Sequence, residues 1–445
     1  MPLTQPMLLV AFLQASNCSN YVASWRHPGT DPGFLTFDYY QQIARTLETG
    51  MFHLAFFDDR LAMPSLYGDS PATALQHGIR AVKLDLIPVM TAMLLATRHL
   101  GVGGTYSTTY YPPFHIARLF ATLDHLSGGR VAWNVVTSLN DAEARNFGRV
   151  QHVEHAVRYD QADEFMQVVH GLWQTWDVDA LLMDRVQERF ADPARVHPLD
   201  FQGAWWHAQG TLTVPRCPQG HPVIIQAGQS GRGRDFAARW GELIFVIAPT
   251  LAAGQEIYAD IKTRALRYGR RPEAIKLAPA AYVVVGETAS IARDKLAYVE
   301  SLARPEDALV LLSEILNYDF ARHGLDESLP TAALQAMTGV RSIVDRVLHL
   351  SGKAHPTVRE FLQHSGRGTL AEMPRFVGTP SQVATQMATW LTGQACDGFV
   401  IAATHMPGAY EDFARLVVPE LQSRGLARTA YTGSTLRDQL GLPYP

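Results

Sequence analysis

Cysteine is scarce in this sequence. Only three residues of this type, Cys18, Cys217 and Cys396, occur among 445, and they are far apart and lack metal-ligand spacing. A disulfide scaffold and a cysteine-based metal site are therefore not expected. The 17 histidines are also dispersed and no H-E-x-x-H motif occurs, so we expect no bound metal. This composition fits a reducing compartment, and the cytoplasm is the expected location.

Long apolar runs and an excess of one charge are absent as well. No stretch of about 18 apolar residues, the minimum for a membrane span, occurs, and Met7–Leu13 is too short for a span or a signal peptide. The formal net charge is −4 and no basic run stands out. Neither nucleic acid nor a membrane is therefore an expected partner.

Two motifs of common enzyme classes are also missing. No G-x-G-x-x-G turn follows the first apolar run, which disfavours an open, doubly wound nucleotide-binding sheet. No G-x-S-x-G motif occurs, and Cys18 has no obvious histidine partner, so the sequence does not indicate a catalytic triad.

The sequence contains instead a regular alternation of short apolar runs and longer amphipathic stretches. The apolar runs are rich in Val, Ile and Phe and lack clean period-two alternation, which is typical of parallel strands buried on both faces. Eight β-then-α units in series predict a closed TIM (β/α)8 barrel. The predicted strands are Met7–Leu13, His53–Phe57, Gly101–Thr108, Val131–Thr137, Pro222–Ala227, Glu242–Ile247, Ala278–Val285 and Asp397–Ala402. The predicted helices are Phe37–Thr49, Pro88–His99, His115–His125, Gln161–Trp173, Arg234–Trp240, Leu251–Tyr268, Ser381–Thr392 and Tyr410–Arg424.

Two long segments interrupt the alternation. Residues 177–221 carry two adjacent tryptophans and several prolines, and residues 287–376 carry further helical patterns, such as Ile291–Leu302 and Ala308–Leu316. Insertions of this length are usually lids or assembly surfaces. We expect residues 1–445 to form a single domain in which the second insertion is a helical cap over the C-terminal mouth of the barrel.

Polar residues cluster where the predicted strands end, which in a barrel is where catalysis takes place. Gln226–Gly233 runs from a strand through a Gly/Ser loop into a helix, a geometry in which backbone N–H groups and the helix dipole face an anion. Ser230 is placed there as a helix N-cap or a phosphate ligand. His155 and Tyr159, four residues apart, share a helix face and can reach the same anion. Taken alone, each of these residues is at least as compatible with a capping or packing role.

Several longer motifs resemble one protein family. TLDHLSGG (Thr122–Gly129), followed by RVAWNVVTSLNDAEARNFG (Arg130–Gly148), is similar to the flavin-dependent monooxygenase branch of the bacterial luciferase superfamily. That branch includes the nitrilotriacetate, long-chain alkane and dibenzothiophene sulfone monooxygenases, and the motifs resemble the last of these most. The resemblance covers the whole chain. Further matching segments are Trp25–Pro28, Thr108–Pro113, Glu154–Tyr159, Pro222–Gly228 and Gly433–Asp438.

The resemblance implies a barrel that binds FMN at its C-terminal mouth and uses O2 as co-substrate. Because no nicotinamide fingerprint is present, it also implies that a separate NAD(P)H-dependent flavin reductase supplies the cofactor as FMNH2. We expect a homodimer or a homotetramer. The implied ligands of the isoalloxazine and ribityl groups are Asp59, Thr105 and Asn134, with Thr137 nearby, and those of the phosphate are His155, Tyr159, Gly228, Gln229 and Ser230. The implied catalytic residues are Asn134, Asn20 and Thr137.

The sequence departs from this family near the substrate. Many relatives carry a histidine between the first strand and the W-R-H motif, where this chain has Ser16–Asn20, and the sulfone enzymes carry one in the cap, where it has Ile315. Because the predicted pocket is apolar and few cationic residues are seen, we expect a small apolar or aromatic substrate, such as an organosulfur compound, rather than a polycarboxylate. The predicted pocket residues are Leu13, Phe57, Phe245, Ile247 and Ile315.

Two alternatives remain open. One is an F420-dependent dehydrogenase of the same fold, although such enzymes lack these insertions and motifs. The other is a non-catalytic flavin-binding protein, against which the pair Asn134 and Thr137 argues.

Overall fold

Residues 6–445 are described by the structure, a computed structural model, and residues 1–5 of the predicted domain lie outside the described part. The strands are β1 (Leu8–Gln14), β2 (Leu54–Asp58), β3 (Gly101–Ser107), β4 (Val131–Val136), β5 (Leu181–Asp184), β6 (Arg189–Ala191), β7 (Leu199–Gln202), β8 (His207–Gly210), β9 (Val223–Gln226), β10 (Leu243–Val246), β11 (Lys276–Val285), β12 (Arg375–Gly378) and β13 (Gly398–Ala402). The helices are α1 (Phe37–Thr49), α2 (Ala72–His77), α3 (Leu86–Ala96), α4 (Pro113–Ser127), α5 (Asp141–Asn146), α6 (His155–Trp173), α7 (Gly231–Trp240), α8 (Leu251–Arg267), α9 (Ala289–Ser301), α10 (Pro305–Leu316), α11 (Thr331–Ala336), α12 (Arg341–Ser351), α13 (Val358–Ser365), α14 (Pro380–Thr392), α15 (Gly408–Asp412), α16 (Val418–Ser423) and α17 (Leu436–Leu440).

Eight of these strands form a closed parallel ring. The strands pair in the order β1, β2, β3, β4, β9, β10 and β11, and β13 closes the ring by pairing with both β11 and β1. Each of the eight lies within two residues of a predicted strand. All residues of β1 and β11 are buried, which explains why the sequence shows no period-two alternation there. The predicted TIM barrel is confirmed.

The surrounding helices follow from local sequence signals. α1 begins after Thr36, whose side chain accepts a hydrogen bond from the Tyr39 amide, and it buries an apolar stripe that includes Tyr40, Ile43 and Leu47. This stripe packs on the outside of the barrel, as expected for an amphipathic helix. Within residues 6–445 no helix combines the length and the apolar character that crossing a membrane requires.

Side chains of the barrel strands alternate between an inner core and an outer core. Phe12 and Phe56 belong to the inner core, so the next residues along the strands, Leu13 and Phe57, face the helices instead. The Phe57 ring lies 6.4 Å from the ring of Tyr40 on α1. The prediction that Leu13 and Phe57 line a substrate pocket is therefore wrong. Both strands are apolar on both faces, so the sequence does not show which side chains point into the barrel.

The C-terminal tail closes the amino-terminal end of the barrel. Leu436 and Leu440 of α17, together with Leu442, belong to the inner core. A Cβ atom on Gly101, the first residue of β3, would lie 2.7 Å from Leu436 Cδ1. Glycine is therefore required where the tail meets the strand.

A buried ion pair holds this tail in place. Arg437 Nη1 and Nη2 donate to the Glu242 carboxylate at 2.6 and 3.0 Å, and both side chains are buried. Burial alone would raise the pKa of Glu242, but the charges of His221 and Arg437 and hydrogen bonds outweigh it and lower the pKa to about 2. Glu242 is therefore a carboxylate at neutral pH, and its buried charge is stabilised by Arg437.

Residues 177–221 form two antiparallel hairpins, β5–β6 and β7–β8, that are not part of the barrel sheet. The sequence did not predict these strands. The first hairpin leaves apolar side chains in solvent: Met183, Val186 and Phe190 are exposed by 56%, 94% and 65%. Exposed apolar patches of this kind are typical of assembly surfaces.

Helices α10–α13 form the predicted cap and enclose a core of their own. Arg26 Nη1 and Nη2 donate to Asp307 of α10 at 2.6 and 2.8 Å. Glu314 Oε1, also on α10, accepts the amides of Ser65 and Leu66 at 3.0 and 2.9 Å. Ser65 and Leu66 lie in the segment that follows the C-terminal end of β2. The cap therefore covers the C-terminal mouth of the barrel. α9 lies within the predicted insertion but packs against β11 and β12, so the cap begins after α9.

We predict that Arg437→Met lowers the free energy of unfolding by about 3–5 kcal/mol, since it leaves the buried Glu242 carboxylate without its cation. Urea unfolding followed by circular dichroism measures the change. The matched control is Arg359→Met, which removes a solvent-exposed pair with Asp326 and should lower the free energy of unfolding far less, because water screens an exposed ion pair. Equal losses in the two variants would contradict a stabilising role for the buried pair.

Candidate active site

A band of polar side chains faces inward at the C-terminal ends of neighbouring strands. Thr105 Oγ1 donates to the carbonyl of Phe57 at 2.7 Å, and Asn134 Nδ2 donates to Thr105 Oγ1 at 2.8 Å. Gln14 Nε2 donates to Asp58 Oδ2 at 3.4 Å. Asn134 Oδ1 and Gln14 Oε1 are buried and have no hydrogen-bond partner in the described part of the chain. Two buried acceptors without donors indicate a place where a ligand supplies N–H or O–H groups.

Gln14 and Asp58 were missed by the sequence analysis. Each lies two residues beyond an inward-facing phenylalanine, Phe12 or Phe56, and therefore shares its face of the strand. That spacing is the signal that would have found them.

An aromatic layer lies directly beneath the polar band. The rings of Phe12 and Phe56 stack with centroids 5.5 Å apart, and Phe245 lies 5.1 Å from Phe12 and 5.8 Å from Phe56. Phe245 belongs to the inner core, and the partly buried Ile247 packs against that core. Ile315 is half-buried on α10 and packs against the core of the cap. The mouth therefore has an apolar floor.

The five residues expected around the phosphate come from α6 and from the turn between β9 and α7. Ser230 caps α7 by accepting the amide of Gly233 at 3.0 Å, and its Oγ lies 3.5 Å from His155 Nε2. A Cβ atom on Gly228 would lie 2.8 Å from Gly233 Cα and 2.9 Å from the Tyr159 hydroxyl oxygen. Any side chain at position 228 would therefore collide with the Gly233 backbone and the Tyr159 hydroxyl, so only glycine fits there.

This turn has the properties of an anion site. The amides of Ser230, Gly231 and Arg232 form no hydrogen bond with any group of residues 6–445, and they lie at the N-terminus of a ten-residue helix. Burial and the nearby arginine charges lower the pKa of His155, so its ring is neutral at pH 7. Burial raises the pKa of Tyr159, so its hydroxyl remains a hydrogen-bond donor.

Gln229 and Arg232 have other partners near this turn. In the amide orientation that satisfies both groups, the Gln229 side chain exchanges hydrogen bonds with the backbone N–H and C=O of Ile247, at 3.3 and 3.2 Å. Arg232 Nη2 donates to Asp160 and Asp163. The anion would therefore be held by backbone amides, hydroxyls and a neutral imidazole.

The two remaining residues expected in catalysis lie elsewhere around the mouth. Asn20 Nδ2 donates to the Tyr282 hydroxyl at 3.1 Å, and Asn20 Oδ1 accepts from Arg80 Nη2 at 3.2 Å. The nitrogen and the oxygen of the Asn20 side-chain amide therefore each have a hydrogen-bond partner in the protein. Thr137 is buried directly after β4, and its carbonyl accepts a hydrogen bond from Thr109 Oγ1 at 2.8 Å.

Cationic side chains are more numerous at the mouth than the sequence analysis expected. The charges of Arg60, Arg80 and Lys83 all act on the pKa of Asp58, and those of Arg80 and Arg60 act on the pKa of Arg367, which follows α13. These residues are spread over some 300 positions of the sequence and are brought together only by the fold. The expectation of few cations near the pocket is therefore wrong.

Two adjacent carboxyl groups titrate differently at the mouth. Burial raises the pKa of Asp59 to about 7, although Lys83 and the Arg60 amide oppose this. Burial also acts to raise the pKa of Asp58, but Lys83, 2.9 Å from its Oδ1, and the two arginines lower it. Asp58 is therefore a permanent carboxylate, and Asp59 exchanges its proton near neutral pH.

We predict that Asp59→Asn stabilises the protein more at about pH 8 than at about pH 5, by about 1 kcal/mol or more. The unfolded chain ionises this residue from about pH 4, whereas the folded protein resists ionisation up to about pH 7. The wild type therefore loses stability between these values as pH rises. Thermal unfolding of variant and wild type at both pH values measures the difference.

The control for this experiment is Asp58→Asn. Because Asp58 is ionised at both pH values, its replacement should cost nearly the same stability at each, apart from the smaller change that follows because the Asp58 charge helps to raise the pKa of Asp59. A pH-independent effect of Asp59→Asn would show that its carboxyl group has an ordinary pKa.

Comparisons with known proteins show the family of this chain. The model of the luciferase-like monooxygenase family matches residues 17–398. The chain is 46% identical to the dibenzothiophene-sulfone monooxygenase of Rhodococcus erythropolis (strain XP), covering 99% of this chain and 97% of that protein. It is 40% identical to nitrilotriacetate monooxygenase component A of Aminobacter aminovorans, covering 96% and 94%. The crystal structure of a riboflavin lyase with modified FMN and riboflavin superposes with a TM-score of 0.89 at 32% identity, covering 99% and 97%. The chain therefore belongs to the luciferase-like monooxygenase family and is a monooxygenase.

Proposed function

We propose that this chain is the oxygenase component of a two-component system that uses FMNH2 and O2 to oxidise a small organic compound with an apolar or aromatic body. A separate NAD(P)H-dependent flavin reductase would supply the reduced flavin. One observation carries the proposal: a polar band with two unpartnered buried acceptors lies in the same mouth as a glycine-lined anion site. A flavin mononucleotide has one group for each, a ring system rich in N–H groups and a phosphate.

The residues around the mouth fit FMN. Asn134 Oδ1 would accept a hydrogen bond from the ring system, while Thr105 holds the Asn134 amide in place. Asp59 would contact the ring or the ribityl chain, with Thr137 nearby. The phosphate would be bound by His155, Tyr159, Gly228, Gln229 and Ser230, with the Gln229 contribution coming from its backbone because its side chain is bonded to Ile247. When bound, reduced FMN supplies the electrons that activate O2.

The chain's own residues would orient the reactants and exclude water. Asn134 presents an amide to the ring system, and the cap closes over the mouth through Glu314 and its two backbone donors. The aromatic floor offers apolar surface to the body of a substrate. Asn20, fixed between Tyr282 and Arg80, would support this wall rather than donate to a reacting oxygen.

We also propose a homodimer or homotetramer in the reducing cytoplasm. The exposed side chains of Met183, Val186 and Phe190 support an assembly surface on the first hairpin. The cysteines at positions 18, 217 and 396 are buried free thiols, which is consistent with a reducing compartment.

We predict that the purified chain shows no NADH oxidase activity alone, because its sequence contains no nicotinamide-binding fingerprint. With photoreduced FMN and a panel of aromatic and organosulfur compounds, O2 uptake should be coupled to an oxygenated product detected by mass spectrometry. Rapid NADH oxidation by the isolated chain would contradict the two-component assignment. Hydride transfer with reduced F420 would favour a dehydrogenase, and flavin binding without any product would favour a binding protein.

We predict that Ser230→Ala and Tyr159→Phe each weaken FMN binding about ten- to a hundred-fold while leaving riboflavin binding nearly unchanged, because riboflavin lacks the phosphate. Fluorescence titration of both ligands measures the preference. The matched control is Thr288→Ala, since Thr288 caps α9 as Ser230 caps α7. Both alanine variants should lose about 1 kcal/mol of stability, but only Ser230→Ala should lose FMN affinity. An unaltered preference in both site variants would contradict the phosphate site.

A further inference from the structure

The turn that follows β4 has an unusual backbone conformation. Ser138, two residues beyond the end of this strand, is buried and adopts a φ angle of 61°. This is the left-handed region, which is unfavourable for any residue that has a Cβ atom. Such a conformation persists only where the surrounding structure holds it, and it is frequent at functional sites. Asn134 and Thr137, which the proposed function places at or near the flavin ring, precede Ser138 on the same segment.

The end of β3 holds one side of this turn. Thr109 Oγ1 donates to the carbonyl of Thr137 at 2.8 Å, and Ser138 Oγ donates to Ser107 Oγ at 3.0 Å. Ser107 Oγ also accepts the amide of Thr109 at 3.1 Å, so the Ser107 hydroxyl is itself fixed. The neighbouring strand therefore contributes two hydrogen bonds to the turn.

One arginine of α6 holds the other side of the turn. Arg158 is buried, and its Nη1 donates to the carbonyl of Ser138 and lies 3.4 Å from the carbonyl oxygen of Thr137. The φ and ψ angles of Ser138 set the orientation of these two carbonyls relative to each other. A donor that contacts both of them therefore keeps Ser138 in the left-handed region.

The Arg158 side chain is held in one orientation by a histidine. Arg158 Nη1 also donates to His152 Nε2 at 2.7 Å. Because arginine has no acceptor atom, His152 Nε2 is the acceptor, and the hydrogen on His152 Nδ1 is donated to the Tyr110 hydroxyl oxygen at 2.9 Å. Burial, followed by the charge of Arg158, lowers the pKa of His152 to about 4. His152 is therefore neutral at pH 7 and remains an acceptor for Arg158.

Arg158 serves the backbone of the turn and not a carboxylate. All hydrogen bonds of its guanidinium group within residues 6–445 go to the two carbonyls and to His152. Its acidic neighbours are Glu154 and Glu143, whose carboxylates accept backbone amides. The position of Arg158 is thus explained by the turn that it holds.

The same residue connects the turn with the proposed phosphate site. Arg158 lies between His155 and Tyr159 on α6, and its charge acts to lower the pKa of both side chains. One side chain therefore joins the helix that would bind the phosphate to the strand end that would border the flavin ring.

We propose that Arg158 is a positioning residue that holds the turn after β4 in the shape that receives the flavin ring. The inference rests on the proposed function, because it assigns a role within that flavin site. A different role, in which Arg158 supplies positive charge to the phosphate, predicts a different result. Riboflavin separates the two roles, since it has the ring but no phosphate.

The test is titration of Arg158→Met with FMN and with riboflavin, well below its unfolding temperature. Both affinities should fall by a similar factor, about ten-fold, as for the loss of one hydrogen bond to a ligand. Tyr159→Phe should instead lower the FMN affinity alone. The absorption spectrum of bound riboflavin should also change in Arg158→Met, because the ring senses the turn that borders it. Arg158→Lys, which retains N–H donors, should recover part of the riboflavin affinity.

The matched control is Arg130→Met, at the other end of the same strand. Arg130 lies directly before β4, is as buried as Arg158 and also donates to backbone carbonyls. This variant should lose stability in urea unfolding but bind both flavins with wild-type affinity. If Arg158→Met does not fold, Arg158→Lys replaces it and should show a smaller loss of the same pattern. Thr109→Val, which removes the other hydrogen bond to the Thr137 carbonyl, should also weaken both flavins.

Three results would overturn the inference alone. A fall in FMN affinity without a fall in riboflavin affinity would show that Arg158 serves the phosphate through its charge. Unchanged affinities for both flavins would show that the ring does not depend on this arginine. Equal losses of affinity in Arg130→Met and Arg158→Met would show that general destabilisation explains both. A wild-type chain that binds neither flavin would instead contradict the proposed function, and the inference with it.

Discussion

Closure of eight parallel strands into one ring is the constraint on which this site depends. Successive side chains of a strand point to opposite faces of the sheet, and closure makes one face the barrel interior and the other the face that packs against the helices. Phe12 and Gln14, two residues apart, must therefore point into the same interior at successive depths. The same rule applied to Phe56 and Asp58 on the neighbouring strand produces an aromatic layer with a polar layer above it.

The ends of the barrel are closed in different ways, and this difference decides where chemistry takes place. The amino-terminal end is filled by leucines of the tail and fixed by the pair Arg437 and Glu242, whose atoms satisfy one another. At the C-terminal mouth the cap is held by Glu314, but the buried acceptors of Asn134 and Gln14 have no partner among residues 6–445. A satisfied end contributes stability, whereas an unsatisfied end binds ligands.

Much of the fold could be predicted from the sequence because parallel strands buried on both faces are short, apolar and separated by amphipathic helices. α1 was predicted to the residue, since Thr36 provides a cap and Gly50 follows the last turn. The phase of each strand could not be predicted, because a strand that is apolar on both faces gives no sign of which face is inside. The wrong placement of Leu13 and Phe57 follows directly from this.

The turn at Ser230 and the cationic side chains at the mouth also differ in how far the sequence reveals them. Ser230 lies in a contiguous Gly/Ser turn before a helix, so local spacing indicates its role. Arg60, Arg80 and Arg367 have ordinary neighbours in sequence and are isolated from one another, so that only the tertiary fold shows their number. Sites built from one turn are visible in a single sequence, and sites built from several loops are not.

The turn at Ser230 and the polar band are suited to different parts of one ligand, because their free groups differ. The turn is exposed to solvent and offers backbone amides, hydroxyls and a neutral His155, which suits a phosphate that keeps part of its hydration. The polar band is buried and offers the amide oxygens of Asn134 and Gln14 as acceptors, which suits a ring that carries N–H groups. In the proposed function FMN would satisfy both regions at once, and its ring would then lie above the aromatic layer of Phe12 and Phe56. The apolar body of a substrate would pack on the same layer, so that the two reactants would meet there.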